Sequence, residues 1–236
     1  MYSWGYYMNT AVILAGGVGS RMGVNMPKQY LLVKDKPIIS YCLDIFQAHN
    51  EIDKIVIVVS DEWKGYVTEL VDKYNVTKVC GYAPAGETRQ HSIYNGLKCI
   101  DENAKETDVC IVHDAARPLV SDKIISDCLL GAVEEDGAMP VIPVKDTIYQ
   151  SQDGKTIGNL LNRSELFAGQ APEAFDFKKY YDIHNSVTDE EIATTAGSSE
   201  IAYRHDMKIR LVEGSERNFK ITTIEDLETF ETIMNG

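Results

Sequence analysis

The sequence predicts an α/β protein built on a doubly wound, mainly parallel sheet, and three observations predict it. Residues 10–15, 54–60 and 108–113 are short, β-branched and almost continuously apolar, as suits strands buried on both faces of a parallel sheet. Between them, residues 37–48, 62–74 and 89–100 carry apolar side chains near the helical period, so strand and helix alternate. The sharpest motifs, after Leu14 and around Asp114, fall at carboxyl ends of these strands, where open α/β sheets bind ligands.

Along the chain, residues 1–8 read as an N-terminal extension. Met1 to Tyr7 hold three tyrosines and a tryptophan but no basic or apolar region of a signal peptide. Residues 139–144 resume the strand pattern. From 145 to 163 the character changes: Thr147, Ile148 and Tyr149, the turn signal Asp153-Gly154, then Thr156 and Ile157 read as two extended strands joined by a hairpin. A projecting arm of this kind suits a dimer contact. Residues 188–205 read as mostly helical, 208–213 as a strand and 223–234 as a terminal helix. Thr223 would cap that helix, with Glu225 and Asp226 at the positive end of its dipole. No internal repeat or low-complexity linker interrupts the chain, so residues 9–236 are expected to form one domain.

Composition narrows the function. With 44% apolar and 25% charged residues the chain can build a core, and no apolar run approaches the ~18 residues of a membrane span. A formal net charge of −13 opposes a nonspecific grip on nucleic acid, while a local cluster of Lys and Arg can still bind a small anion. The five cysteines, Cys42, Cys80, Cys99, Cys110 and Cys128, lack CxxC spacing and read as reduced core thiols of a cytoplasmic protein.

The first motif is Ala15-Gly16-Gly17-Val18-Gly19-Ser20-Arg21-Met22-Gly23. Its glycines let backbone N–H groups approach phosphate oxygens. It is not a Walker A loop, and Met22 stands where a dinucleotide fingerprint needs its third glycine, which counts against an NAD-linked oxidoreductase. Arg21 and Lys28, in Pro27-Lys28-Gln29, add two cations able to neutralise a triphosphate. Asp114, at a strand end, is a candidate ligand for Mg²⁺ bridging phosphates. Its neighbour His113 reads as a packed histidine rather than a base, since a phosphate monoester with a second pKa of about 6 is already ionised near neutral pH.

Together with His113-Asp114-Ala115-Ala116-Arg117-Pro118 and Lys145-Asp146-Thr147, these motifs resemble the sugar- and polyol-phosphate cytidylyltransferases, from about residue 9 to the C-terminus. The resemblance implies a Rossmann-like nucleotidyltransferase that joins CTP to a phosphorylated polyol and releases pyrophosphate. It implies that Arg21, Lys28 and Lys220 stabilise the reacting phosphates, and that Gly16, Gly17 and Gly19 line the triphosphate. Ala15, Gly86, Glu87, Ser92 and Ala115 would contact CTP, with the segment 85–92 reading cytosine, although the family usually has a second glycine and an aspartate where this chain has Ala85 and Glu87. Arg117 and Thr147 would hold the acceptor's phosphate. Arg163, at the end of the arm, would reach a neighbouring subunit's site in a homodimer.

Two departures fall where the family chooses its acceptor. Gln170-Ala171-Pro172-Glu173 replaces a Gln-Thr-Pro-Gln segment, and Ala196-Gly197 replaces a Thr-Asp pair, with Ser198 and Ser199 nearby. Losing a hydroxyl-binding carboxylate should weaken or shift selectivity. The middle of the chain leans to 2-C-methyl-D-erythritol 4-phosphate as acceptor; ribitol 5-phosphate is the alternative, and a noncatalytic nucleotide-binding regulator is the alternative of another class.

Overall fold

The structure, a computed structural model, describes residues 7–17 and 26–236. The expected triphosphate residues Gly19 and Arg21 lie outside the described residues, as does most of the N-terminal extension. The chain opens with β1 (Asn9–Leu14), a 3-10 turn at Lys28–Tyr30, the short pair β2 (Leu32–Val33) and β3 (Lys36–Pro37), and α1 (Ile38–Ala48). There follow β4 (Lys54–Val59), α2 (Asp61–Lys73), β5 (Val79–Pro84), α3 (Arg89–Asn103), β6 (Val109–Asp114), α4 (Asp122–Glu134) and β7 (Gly137–Pro143). The second half adds β8 (Tyr149–Gln150), β9 (Asn159–Leu160), β10 (Phe167–Gly169), β11 (Glu173–Asp176), α5 (Phe177–Ser186), α6 (Asp189–Thr194), α7 (Ser198–Arg204), β12 (Ile209–Glu213) and α8 (Ile224–Asn235).

The main sheet runs β10-β7-β11-β6-β1-β4-β5, with β12 on the other edge of β7. β5, β4, β1 and β6 are parallel to one another, and β11 enters antiparallel between β6 and β7. β10 and β11 follow one another along the same edge of β7, separated by Gln170, Ala171 and Pro172 with a cis peptide before Pro172. Strand alternation divides the core. Ala11, Ile13, Ile55, Ile57 and Ile111 pack under α1, α2 and α4, while Val12, Val56, Val58, Cys110 and Val112 pack under α3, α5 and α7. The near-continuous apolar runs follow from burial on both faces. Thr223 does cap α8, accepting from the Asp226 N–H.

In the arm, pairing is confined to Tyr149 and Gln150 with Leu160 and Asn159, and the Asp153 carboxylate closes the tip on the N–H groups of Lys155 and Thr156. Four cysteines are buried and Cys80 is half-buried, all unpaired. Among the described residues no helix is long and apolar enough to cross a membrane.

Candidate active site

From β1 the chain continues to β4 and β5 on one side and returns to β6 on the other, so the order reverses at β1. A crevice opens beyond the carboxyl ends of strands at such a point. Here it is a cavity of about 390 Å³, floored by Leu14, Gly16 and Gly17 after β1, walled by Gly86 to Arg89 and Ser92 after β5, and faced by Asp114, Ala116, Lys220 and Thr222 with Lys28 and Gln29.

The glycine turn is held from below. Gln29 Nε2 donates to the carbonyls of Ala15 at 2.6 Å and Gly17 at 2.8 Å, and the Tyr30 hydroxyl donates to Ala15 at 3.0 Å. The Ala15 N–H donates to Val58, so both of its backbone groups are engaged within the protein. A Cβ on Gly16 would lie 2.3 Å from that of Ala85, so the first loop touches the second. A Cβ on Gly17 would meet nothing within 4 Å among the described residues. Gly17 lines the cavity.

In the second loop, Gly86 N–H donates to Ser92 Oγ at 2.9 Å, and Thr88 caps α3 by accepting from His91 N–H. A Cβ on Gly86 would lie 2.4 Å from His91 Cβ. The Ser92 hydroxyl therefore accepts internally and keeps its proton to donate to a ligand acceptor.

Asp114 collects three cations. Arg89 Nε lies 3.3 Å from Oδ1, Lys220 Nζ 2.9 Å and Arg117 Nε 3.6 Å from Oδ2. Burial by itself would raise the Asp114 pKa; Arg89, then Lys220 and Arg117, overcome it and hold the carboxyl well below the usual carboxylate range. Arg117 also donates to the Asn218 carbonyl at 2.6 Å. His113 is fully buried, donates from Nε2 to the Arg117 carbonyl at 3.0 Å and leaves Nδ1 without a partner among the described residues. Desolvation pushes its pKa down to about 4, so it is a neutral packing residue under the Asp114 turn and not a proton carrier to the cavity.

Lys28, Gly16, Gly17, Gly86, Glu87, Ser92, Asp114 and Lys220 thus share one cavity, and Arg117 backs it through Asp114. Ala115 is buried behind it, its N–H on Leu14. Thr147 and Arg163 sit exposed on the arm, where Arg163 donates to Lys145, and this single chain does not bring them to the cavity. Ala171, expected to mark a lost contact to the acceptor, is buried and does not line the cavity, its carbonyl held by Asn218. Gln29, Arg89, Glu173 and Thr222 were not singled out from sequence. Gln29 was signalled only by adjacency to Lys28, and Glu173 only by standing where a glutamine was expected.

Two glycine loops at a strand-order reversal, facing Lys28 and a carboxylate that gathers Arg89, Arg117 and Lys220, make a cavity of the kind that suits phosphates in a nucleotidyltransferase. Residues 9–236 match the family described as 2-C-methyl-D-erythritol 4-phosphate cytidylyltransferase. A ribitol-5-phosphate cytidylyltransferase from Streptococcus agalactiae serotype Ia is 34% identical over 230 residues, 97% of this chain and 96% of the relative. A 2-C-methyl-D-erythritol 4-phosphate cytidylyltransferase from Clostridium botulinum strain Langeland is 36% identical over 226 residues, 96% and 97% of the two chains. The crystal structure of 4-diphosphocytidyl-2C-methyl-D-erythritol synthase from Anaerococcus prevotii superposes with a TM-score of 0.83 over 98% of this chain and 97% of that one; at 24% identity it attests the fold. The chain belongs to the 2-C-methyl-D-erythritol 4-phosphate cytidylyltransferase family and is a cytidylyltransferase.

Proposed function

We propose that the protein transfers the cytidylyl group of CTP to a polyol phosphate, 2-C-methyl-D-erythritol 4-phosphate, and releases pyrophosphate. The observation that carries the reading is the single cavity in which the glycine turn, Lys28 and the Asp114–Lys220 pair meet the loop 86–92. An oxygen of the acceptor's phosphate attacks the α-phosphorus in line, forming a P–O–P bond as the bond to the bridging oxygen of the β-phosphate breaks. Pyrophosphate leaves with that oxygen. Lys28, Lys220 and Arg21 are assigned to the charge on the phosphates, and Arg117 and Asp114 orient Lys220's side of the cavity. The Ser92 proton suits an acceptor atom of cytosine. No protein base is needed, in keeping with the buried, neutral His113.

Asp114, which shares the cavity with Glu87, is the carboxylate that would hold a divalent cation, in exchange for part of its pairing with Arg89, Arg117 and Lys220. Among the described residues no group of three His, Cys, Asp or Glu side chains could hold a metal alone, so phosphate oxygens and water would complete the shell, the habit of Mg²⁺. Bound there, Mg²⁺ would neutralise phosphate charge and polarise the α-phosphorus.

The branched acceptor is favoured because the segment beside Arg89 offers few free polar groups. Ser198 accepts from Arg89, Ser199 donates to Glu173, and Gly197 carries no side chain. Ribitol 5-phosphate, with one more hydroxyl and no methyl branch, is the second reading, favoured by relatives such as the streptococcal one. The arm supports a homodimer in which Thr147 and Arg163 reach the partner's cavity, since it exposes Tyr149, Ile157 and Leu160. Pyrophosphate release from CTP and Mg²⁺, measured with both polyol phosphates, glycerol phosphates and aminoethylphosphonate, tests the reading. A kcat/KM for methylerythritol 4-phosphate at least about tenfold above the others is expected. A preference for ribitol 5-phosphate overturns the acceptor assignment, and CTP binding with silence across the panel favours a regulator.

A further inference from the structure

The transfer leaves one buried carboxylate unused. Glu173 begins β11, is only 7% exposed and does not line the cavity. Its Oε2 accepts from the Ser199 N–H at 2.9 Å and the Ser199 hydroxyl at 2.6 Å, while Oε1 lies 3.5 Å from Arg89 Nη2. Arg89 does line the cavity, and it is engaged on all three nitrogens: Nε on Asp114, Nη2 near Glu173 and Nη1 donating to Ser198 Oγ at 2.6 Å.

A guanidinium on the wall of a phosphate site can either grip the ligand or brace the protein. Its planar fork suits carboxylates and phosphates equally. Here the carboxylates hold it. Around Asp114 stand three cations, Arg89, Arg117 and Lys220, against two carboxylates, Asp114 and Glu173, which leaves one formal positive charge. Without the Glu173 charge the cluster would carry two, and Arg89 Nη2 would have no anion but the nucleotide's own phosphates. Arg89 would then turn from Asp114 toward the triphosphate, strengthening ground-state binding while loosening the carboxylate that orients Lys220.

We propose that Glu173 is a positioning residue for the transfer: it keeps the Arg89 guanidinium on Asp114 and off the phosphates of the bound nucleotide. The proposal rests on the reading of the cavity as the CTP site. Its signature is a split that lost folding cannot produce, because damaged protein lowers the active fraction without tightening the rest.

The experiment is Glu173→Gln in the full-length chain, with CTP affinity by calorimetry in the presence of Mg²⁺ and kcat by pyrophosphate release with the acceptor that wild type turns over. CTP should bind about threefold or more tightly and kcat should fall about tenfold or more, the pattern of a strengthened ground state. Adding Arg89→Gln should return CTP affinity to the wild-type level or weaker. Should Glu173→Gln fail to fold, Ser199→Ala, which removes one of the bonds steadying Glu173, should shift both quantities in the same directions by less. Unchanged or weaker CTP binding in the folded variant, or unchanged kcat, overturns the role of Glu173 alone. A wild-type protein that does not bind CTP overturns the donor reading and this proposal with it.

Discussion

At the scale of single residues, the site works by spending polar groups before a ligand arrives. Gln29 and Tyr30 hold the Ala15 carbonyl, Ser92 holds Gly86, and Asp114 holds three cations, so little has to reorganise when phosphates bind. Lys28 lines the same cavity. Lys28→Ala should lower kcat by about 10²-fold or more while the thermal midpoint moves by only a few degrees, as befits a group that stabilises transferring charge. Steady-state kinetics beside calorimetric melting decides it, and near-wild-type turnover would remove Lys28 from the mechanism. Gly86→Ala tests the second loop. The new Cβ would fall 2.9 Å from the Ser92 N–H nitrogen as well as against His91, and both belong to the first turn of α3. We expect the CTP dissociation constant to rise about tenfold, corresponding to about 1.4 kcal/mol, and an unchanged value would separate this loop from nucleotide binding.

At the scale of elements, assembly turns on the arm. If Arg163 completes a partner's cavity, each site combines the body of one subunit with the arm of the other. Arg163→Ala and Lys28→Ala homodimers should each be nearly inactive. After mixing and exchange, half of the dimers would be mixed, each with one intact site, so activity should recover to about a quarter of wild type. No recovery, or a monomer by light scattering, argues that the arm serves its own chain. These elements also show what could be read in advance. The parallel strands announced themselves through unbroken apolar runs, and the arm through Asp153-Gly154. By contrast β10 and β11 span three and four residues and pair with segments 24 to 67 positions away, leaving no period to detect. The site divided in the same way. Lys28, Asp114 and Lys220 belong to compact motifs, whereas the Arg89–Glu173 pairing joins residues from α3 and β11 that no local pattern connects.

For the whole molecule, acid acts through two buried histidines. His113 and His184 are both buried, and desolvation pushes each down to about 4. His184 donates from Nδ1 to the Tyr180 carbonyl and lies 2.7 Å from Gln90 Nε2, an arrangement that satisfies the neutral ring. The unfolded chain takes up these protons first, near pH 6.5, so their contribution to stability is full above that value. It is lost as pH falls toward about 4, and by pH 5 each histidine should have cost about 2 kcal/mol. Urea denaturation at pH 7 and pH 5 measures this. A midpoint that does not fall, or falls equally in a folded His184→Gln variant, would count against that histidine.

The contact between Gly16 and Ala85 reaches further than the turn it shapes. The ends of β1 and β5 share room for a single methyl group, so the two positions are exchangeable as a pair and not singly. Gly16→Ala alone should impair folding or CTP binding, and Gly16→Ala with Ala85→Gly should restore it. Across related chains, an alanine at either position should come with a glycine at the other, a covariation that sequence comparison can check without touching the protein.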